Sequence, residues 1–328
     1  MTSFVTGATG FIGSALVEYL VKNLEMTKVL WRRGSNIKLI DELAVEAVEG
    51  DLSDVEMLKK AIGNAEVVYN VAAETHESKR YEDYYTVNVV GFRNLLEACL
   101  LAGVKRVIHV STVEVYGFDL PKTPVDENFA PNPEHPYHRS RLEAERLAVR
   151  FMKEHPELGL TIIRPVVGFG PRDYRFTGRI LKSIRTGKIT LPSGGKNSLS
   201  LIYARDVAKA LVLAARNPKS VGNTYVVKGF DCKLRELVEG LASEMGSLVD
   251  ISSMPFGFAY LGAALSEFSS RFARAEPKVT RFSVEYLGRN RLLSDRKIRE
   301  ELGYVPDYFL ARGCKETVEW FRERERGI

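Results

Sequence analysis

Glutamine is absent from the 328-residue sequence, and cysteine is reduced to three residues, Cys99, Cys232 and Cys314. Low glutamine beside 27% charged residues fits the usage of heat-tolerant proteins. The cysteines lie far apart, with no CxxC or Cys/His spacing, which argues for buried structural thiols and against a metal site or a disulfide framework. A dense cationic tract is also missing. Basic residues come in small groups such as Arg32 with Arg33 and Lys105 with Arg106, so a net charge of +5 gives nucleic-acid binding no support. No apolar run reaches the roughly twenty residues that a membrane-spanning helix needs. The apolar stretch from Pro255 to Leu265 is about half that length; ordinary core packing is its expected use, with a pocket wall, a membrane surface and a dimer interface as alternatives. No charged leader precedes the first strand, so a cytoplasmic protein is expected.

What is present is an alternation. Short apolar runs at Ser3 to Thr6, Lys28 to Trp31, Val45 to Val48, Val67 to Val71, Val107 to Ser111 and Thr161 to Arg164 read as strands. Between them, Phe11 to Lys22, Val55 to Ile62, Val87 to Leu101 and Ser140 to Lys153 carry apolar residues at helical spacing. Strands alternating with helices imply an α/β protein with a Rossmann-type doubly wound parallel sheet. The rhythm changes after Pro165, so residues 1–165 are expected to form the dinucleotide-binding domain and 166–328 mainly a smaller substrate lobe, part of it returning to the main sheet. A small-molecule substrate would sit in the cleft between them, and a homodimer is left open.

The first strand runs into Gly7, Ala8, Thr9, Gly10, Phe11, Ile12, Gly13, a GxxGxxG turn leading into a helix. The first glycine permits the tight turn, the second lets backbone approach a pyrophosphate, and the third lets helix pack on strand. A nicotinamide dinucleotide is the expected cofactor. Arg32, Arg33 and Ser35 follow the second strand, where guanidinium groups suit a 2′-phosphate, so NADP is favoured over NAD. Asp51 with Leu52, and Val71, Ala72 and Ala73 at the end of the fourth strand, are further cofactor contacts, as are Pro165 and Val167.

The TGATGFIG start, the NVVGFRNLLEA helix from Asn88, the STVEVYG strand end, the helix from Tyr137, and the segment Arg164, Pro165, Gly168 to Pro171 resemble the extended short-chain dehydrogenase/reductase superfamily. The resemblance implies that Tyr137 is the acid/base, that Thr112 (or, less favoured, Ser111) positions the substrate hydroxyl, and that the residue four after the tyrosine holds the ribose and lowers the tyrosine pKa. That residue is a lysine in the family and Arg141 here. Spacing of i to i+4 keeps the cation on the tyrosine face, whereas proton relay is lost because arginine stays protonated. Glu114 matches half of the acid pair of sugar-nucleotide dehydratases, Val113 replacing the aspartate, and is expected to be structural, as is Asn88.

No basic residue shortly precedes Ile202 in the run Ser198 to Val207, where sugar-nucleotide relatives carry a diphosphate-gripping arginine; Arg172 and Arg179 are candidates to compensate. The stretches Pro277 to Arg281 and Leu302 to Pro306 look like the tail of 3β-hydroxysteroid dehydrogenase and dihydroflavonol reductase relatives. The resemblance therefore implies hydride transfer between nicotinamide and a secondary alcohol or ketone on an apolar, ring-shaped substrate. A sugar-nucleotide epimerase or dehydratase is the alternative, and a non-catalytic dinucleotide sensor, suggested by Arg141 alone, is the third reading.

Overall fold

The structure, a computed structural model, describes residues 1–76, 79–273 and 279–326. Strands β1 (Thr2–Thr6), β2 (Met26–Trp31), β3 (Glu46–Glu49), β4 (Val67–Asn70), β5 (Arg106–Val110) and β6 (Gly159–Pro165) alternate with helices α1 (Phe11–Lys22), α2 (Val55–Ile62), α3 (Tyr81–Tyr85), α4 (Gly91–Leu101) and α5 (Pro136–Glu154). Beyond Pro165 follow β7 (Val167–Phe169), α6 (Thr177–Arg185), β8 (Lys188–Pro192), β9 (Ser198–Tyr203), α7 (Ala204–Arg216), β10 (Thr224–Val227) and β11 (Phe230–Lys233). The chain continues through α8 (Leu234–Met245), β12 (Asp250–Met254), α9 (Phe256–Ala273), α10 (Arg281–Gly288), α11 (Arg296–Leu302) and α12 (Leu310–Arg326).

Seven strands form the main sheet in the order β10-β6-β5-β4-β1-β2-β3, every adjacent pair parallel. Strands β4 and β6 are buried along their whole length, as their nearly unbroken apolar sequences require in a sheet covered on both faces. Leu16 and Leu20 of α1 pack with Leu211 of α7 on one face, and Leu95, Leu96 and Leu147 of α4 and α5 fill the other. The strand order reverses between β1 and β4, which opens a crevice at their carboxyl ends. The smaller lobe has its own core around Phe169, Leu199, Leu237 and Val318. Its sheets are β11-β9-β7 and the ribbon β12-β8. We propose the division near residue 165 as the domain boundary, with α7 and β10 of the second half attached to the main sheet.

Two departures from the sequence pattern matter for the site. The stretch expected as one helix from Val87 begins as a wide π turn over Thr86–Val90, which turns Asn88 inward to 1% exposure. Helix α5 starts about one turn earlier than its apolar periodicity suggests, because Pro136 occupies the first turn and the His135 ring accepts from Tyr137 N–H at 3.2 Å.

Helix α5 is fastened to the sheet by a buried fork. Arg164 Nε and Nη2 donate to Glu145 at 2.9 and 2.6 Å, and Nη1 donates to the Tyr116 hydroxyl at 2.7 Å. Glu145→Ala would strand this guanidinium in the interior and is expected to cost about 3 kcal/mol or more in urea unfolding, whereas Arg146→Ala, on an exposed pair, should cost under about 1 kcal/mol.

Candidate active site

A continuous cleft of about 1640 Å³ runs from the glycine turn, past the ends of β4 and β5, to α6, α9 and α10 of the smaller lobe. Gly7 has φ +69°, and a Cβ there would lie 2.6 Å from Ala72 N, so the turn and the β4 end press together. A Cβ on Gly13 would lie 2.0 Å from Gly7 O. Helix α1 therefore begins against the strand, and its free amides open on the cleft.

The β4 end is held from inside. Thr6 Oγ1 accepts from Ala72 N–H at 3.2 Å and donates to Asn70 Oδ1 at 2.9 Å. The Asn70 amide nitrogen consequently faces His109 Nδ1 at 3.0 Å, which places the ring proton on Nε2. Burial and the neighbouring Arg141 hold His109 well below the usual imidazole range, so it is neutral.

Gly7, Thr9, Gly10, Phe11, Ile12 and Gly13 all line the cleft. So do Arg32 and Ser35, Asp51 and Leu52, and Val71 to Ala73. Thr112, Tyr137, Arg141 and Pro165 join them. Two expected contacts do not. Arg33 turns away to Glu49 of β3, its Nε donating at 2.8 Å, because successive residues leaving β2 point to opposite sides. Val167 is buried in the core of the smaller lobe; Val166 and Gly168 line the cleft instead, on the other side of the alternation. Of the tail motif, Pro277 and Lys278 lie outside the described residues. Thr280 caps α10 by accepting from Ser283 N–H, and Gly303 at φ +72° ends α11.

At the centre, the Tyr137 phenol is pushed above the ordinary tyrosine value by burial, the Arg141 cation opposing and the Glu114 carboxylate adding to the rise. Thr112 Oγ1 accepts from Glu114 N–H at 3.2 Å, which leaves its hydroxyl hydrogen available to the cleft. Arg141 is 2% exposed, and its Nε and Nη1 have no hydrogen-bond partner among the described residues. A buried guanidinium with unspent donors facing a cleft needs an acceptor there. The glycine cradle, the small residues of the β4 end and these donors fit a dinucleotide. Asn88 positions this group of residues: its amide accepts from Glu74 N–H at 2.8 Å and donates to Glu74 O at 3.1 Å and to Ser140 Oγ at 2.9 Å.

Sequence reasoning missed Arg291, which is 1% exposed and pairs with Glu114 at 2.9 Å from beyond α10. Glu114 also lies 3.4 Å from His138 Nε2, but burial and Arg291 keep that imidazole neutral, so the arginine is the ionic partner. No local pattern announces a pair so distant in sequence. Arg175 was missed for the same reason; it reaches across the cleft and donates to Thr75 O and Oγ1, both at 2.6 Å. The two arginines expected to compensate for a diphosphate clamp both line the cleft, and Arg172 is engaged there by Glu18 of α1.

The sheet order and the glycine-lined crevice define an enzyme of the extended short-chain dehydrogenase/reductase class. The chain belongs to the NAD dependent epimerase/dehydratase family, whose profile matches residues 3–227. It is 30% identical to sterol demethylase protein B of Methylococcus capsulatus, over 99% of each chain. It is 28% identical to a 4-hydroxy-2-methyl-3-oxo-4-farnesyl-3,4-dihydroquinoline-1-oxide ketoreductase of Stigmatella aurantiaca, over 93% of this chain and 92% of the relative. The structure of a UDP-glucose 4-epimerase from Thermotoga maritima, 22% identical and superimposing over 99% of this chain and 100% of that one with a TM-score of 0.82, shares the fold.

If Arg141 is what opposes the burial of Tyr137, then Arg141→Met raises the Tyr137 phenol further, and Arg141→Lys leaves it near its parent position. Ring-labelled tyrosine NMR titration of the cofactor-free protein reads both.

Proposed function

We propose that the chain is an NADP-preferring oxidoreductase that interconverts a secondary alcohol and a ketone on an apolar, ring-bearing substrate. The observation that carries the reading is one continuous cleft in which the glycine turn leads to Thr112 and Tyr137 and then to the apolar side chains Ile189, Leu191, Phe282 and Leu287. The names of the two relatives, a ketoreductase of a farnesylated ring and a sterol demethylase protein, support the same substrate class.

A bound nicotinamide supplies or accepts the hydride. Tyr137 holds the proton at its phenolic oxygen and gives it to the carbonyl oxygen in reduction, or takes it from the alcohol in oxidation. The Thr112 hydroxyl, fixed by its bond to Glu114 N–H, orients that same oxygen. Arg141 lends its charge to the tyrosine side of the cleft and its free donors to the ribose hydroxyls. It cannot pass a proton on, so reprotonation of Tyr137 proceeds from the cleft without an amine in the path. Arg32, exposed on the cleft wall and without an ion-pair partner among the described residues, is assigned to the 2′-phosphate. Arg33 is spent on Glu49. The epimerase alternative rests on Arg179, Lys182 and Arg324, three cations that line the outer cleft and suit a diphosphate.

With apolar cyclic ketones, net oxidation of NADPH followed by absorbance should be seen, and Tyr137→Phe should lower it by a factor of about 10² to 10⁴. Conversion of a nucleotide sugar with no net change in nicotinamide would instead establish the epimerase reading. Turnover on neither substrate class, appearing only in Arg141→Lys, would favour the sensor. Independently, Arg32→Ala should weaken NADPH binding by about tenfold and leave NADH binding nearly unchanged in calorimetry.

A further inference from the structure

The stretch from Pro255 to Leu265, expected from its sequence to pack in a core, does something else. Its helix α9 presents two apolar stripes. Ala259, Ala263 and Ser266, at spacings of four and three, face inward and line the cleft. Phe258, Leu261 and Leu265 lie on a different face and are 69%, 58% and 62% exposed. Met254, just before the helix, and Val279, just before α10, belong to both surfaces: they line the cleft and are 39% and 46% exposed. The outer stripe and the cleft wall therefore join at the mouth as one apolar surface.

The charged residues with which the smaller lobe lines the cleft are mostly cations. The smaller lobe contributes Arg179, Lys182 and Arg324 to the cleft lining, besides Arg172, which Glu18 engages, and Arg175, which is tied to Thr75. Among the described lining residues of that lobe the one carboxylate is Asp173, which is buried and spent on the start of α6, accepting from the amides of Arg175, Phe176 and Thr177. From Phe256 to Ser270 the only charged residue is Glu267, and its carboxylate is held by Arg281 at 2.8 Å. No helix among the described residues is long and apolar enough to cross a membrane.

We propose that α9 docks this enzyme on an anionic lipid surface, Phe258, Leu261 and Leu265 entering the interface while Lys182 and Arg324 meet the headgroups, so that the cleft mouth opens onto the bilayer. An amphipathic helix of this kind lies in the interface plane and does not span it. Juxtaposed cations add an attraction that salt screens. The proposal rests on the apolar-substrate reading for its purpose: a ring substrate carried in lipid would reach Tyr137 along the wall of α9 without crossing water.

The test is co-sedimentation of the full chain, without substrate or cofactor, with vesicles of phosphatidylcholine alone and of phosphatidylcholine with phosphatidylglycerol. The expected result is pelleting with the anionic vesicles that weakens with added salt. The Leu261→Ser/Leu265→Ser double variant should lose about tenfold or more of that partitioning while keeping the parent's melting temperature and NADPH affinity. The proposal is overturned if the parent stays in the supernatant with both vesicles, or if the double variant pellets like the parent. It is also overturned if light scattering shows a parent dimer that the double variant turns into a monomer, because a second copy would then cover the stripe. Binding is read with no substrate present, so turnover of a nucleotide sugar would remove the apolar-substrate reading without touching the vesicle result. A failed vesicle result would likewise leave ketone turnover intact.

Discussion

Helix α5 must not rotate. Tyr137 and Arg141 are four residues apart, so they reach the cleft together from one helical face, and one residue of slippage would swing both by about 100°. Apolar packing alone resists such a turn poorly, since neighbouring leucines and alanines can exchange places. Two directional contacts supply the missing specificity: Ser140 meets the Asn88 amide, and Glu145 meets the Arg164 fork. Asn88 is available because the π turn points it inward, and Arg164 because β6 lies directly beneath the helix. The placement of Tyr137 and Arg141, the pair proposed for catalysis, thus depends on polar groups that do not themselves line the cleft.

The nucleotide half of the molecule was legible because its signals are local. Strand and helix periodicity, the glycine spacing and the Tyr137 to Arg141 interval all lie within single elements or adjoining ones, and α1 and α2 have the boundaries that their apolar patterns imply. Errors of detail arose where a side chain's direction depends on a neighbour. Arg32 and Arg33 look equivalent in sequence, yet Glu49 of the adjoining strand claims one of them. Val166 and Val167 differ only in the parity of a short strand. Arg291, Arg175 and the two faces of α9 were not legible, because each gains its meaning from residues remote in sequence.

Replacing the family's lysine by Arg141 is less severe in this setting than it looks in isolation. Arginine supplies the positive charge that the lysine would, and it keeps that charge when it is 2% exposed. The adjoining imidazole of His109 yields by staying neutral, its Nδ1 already facing the Asn70 amide, so it adds no charge beside Arg141. In the proposed roles, the arrangement secures a permanent positive charge against the phenol and gives up a proton-transfer route, a trade that would affect reprotonation of Tyr137 more than the binding of a dinucleotide.

The two ends of the cleft answer to different physical demands. The cofactor end has to present many fixed donors to a polar ligand, and it does so with backbone held by glycine contacts so close that a single Cβ would not fit at Gly13. The far end has no such constraint. Helix α9 there supplies small residues toward the cleft and large apolar ones outward, leaving apolar surface in water that a self-sufficient fold would have buried. Exposure of that kind carries a solubility cost and brings no packing benefit within a single chain. Its place beside the cleft is what the proposed lipid contact would use, since a water-averse substrate could then enter along the wall of α9.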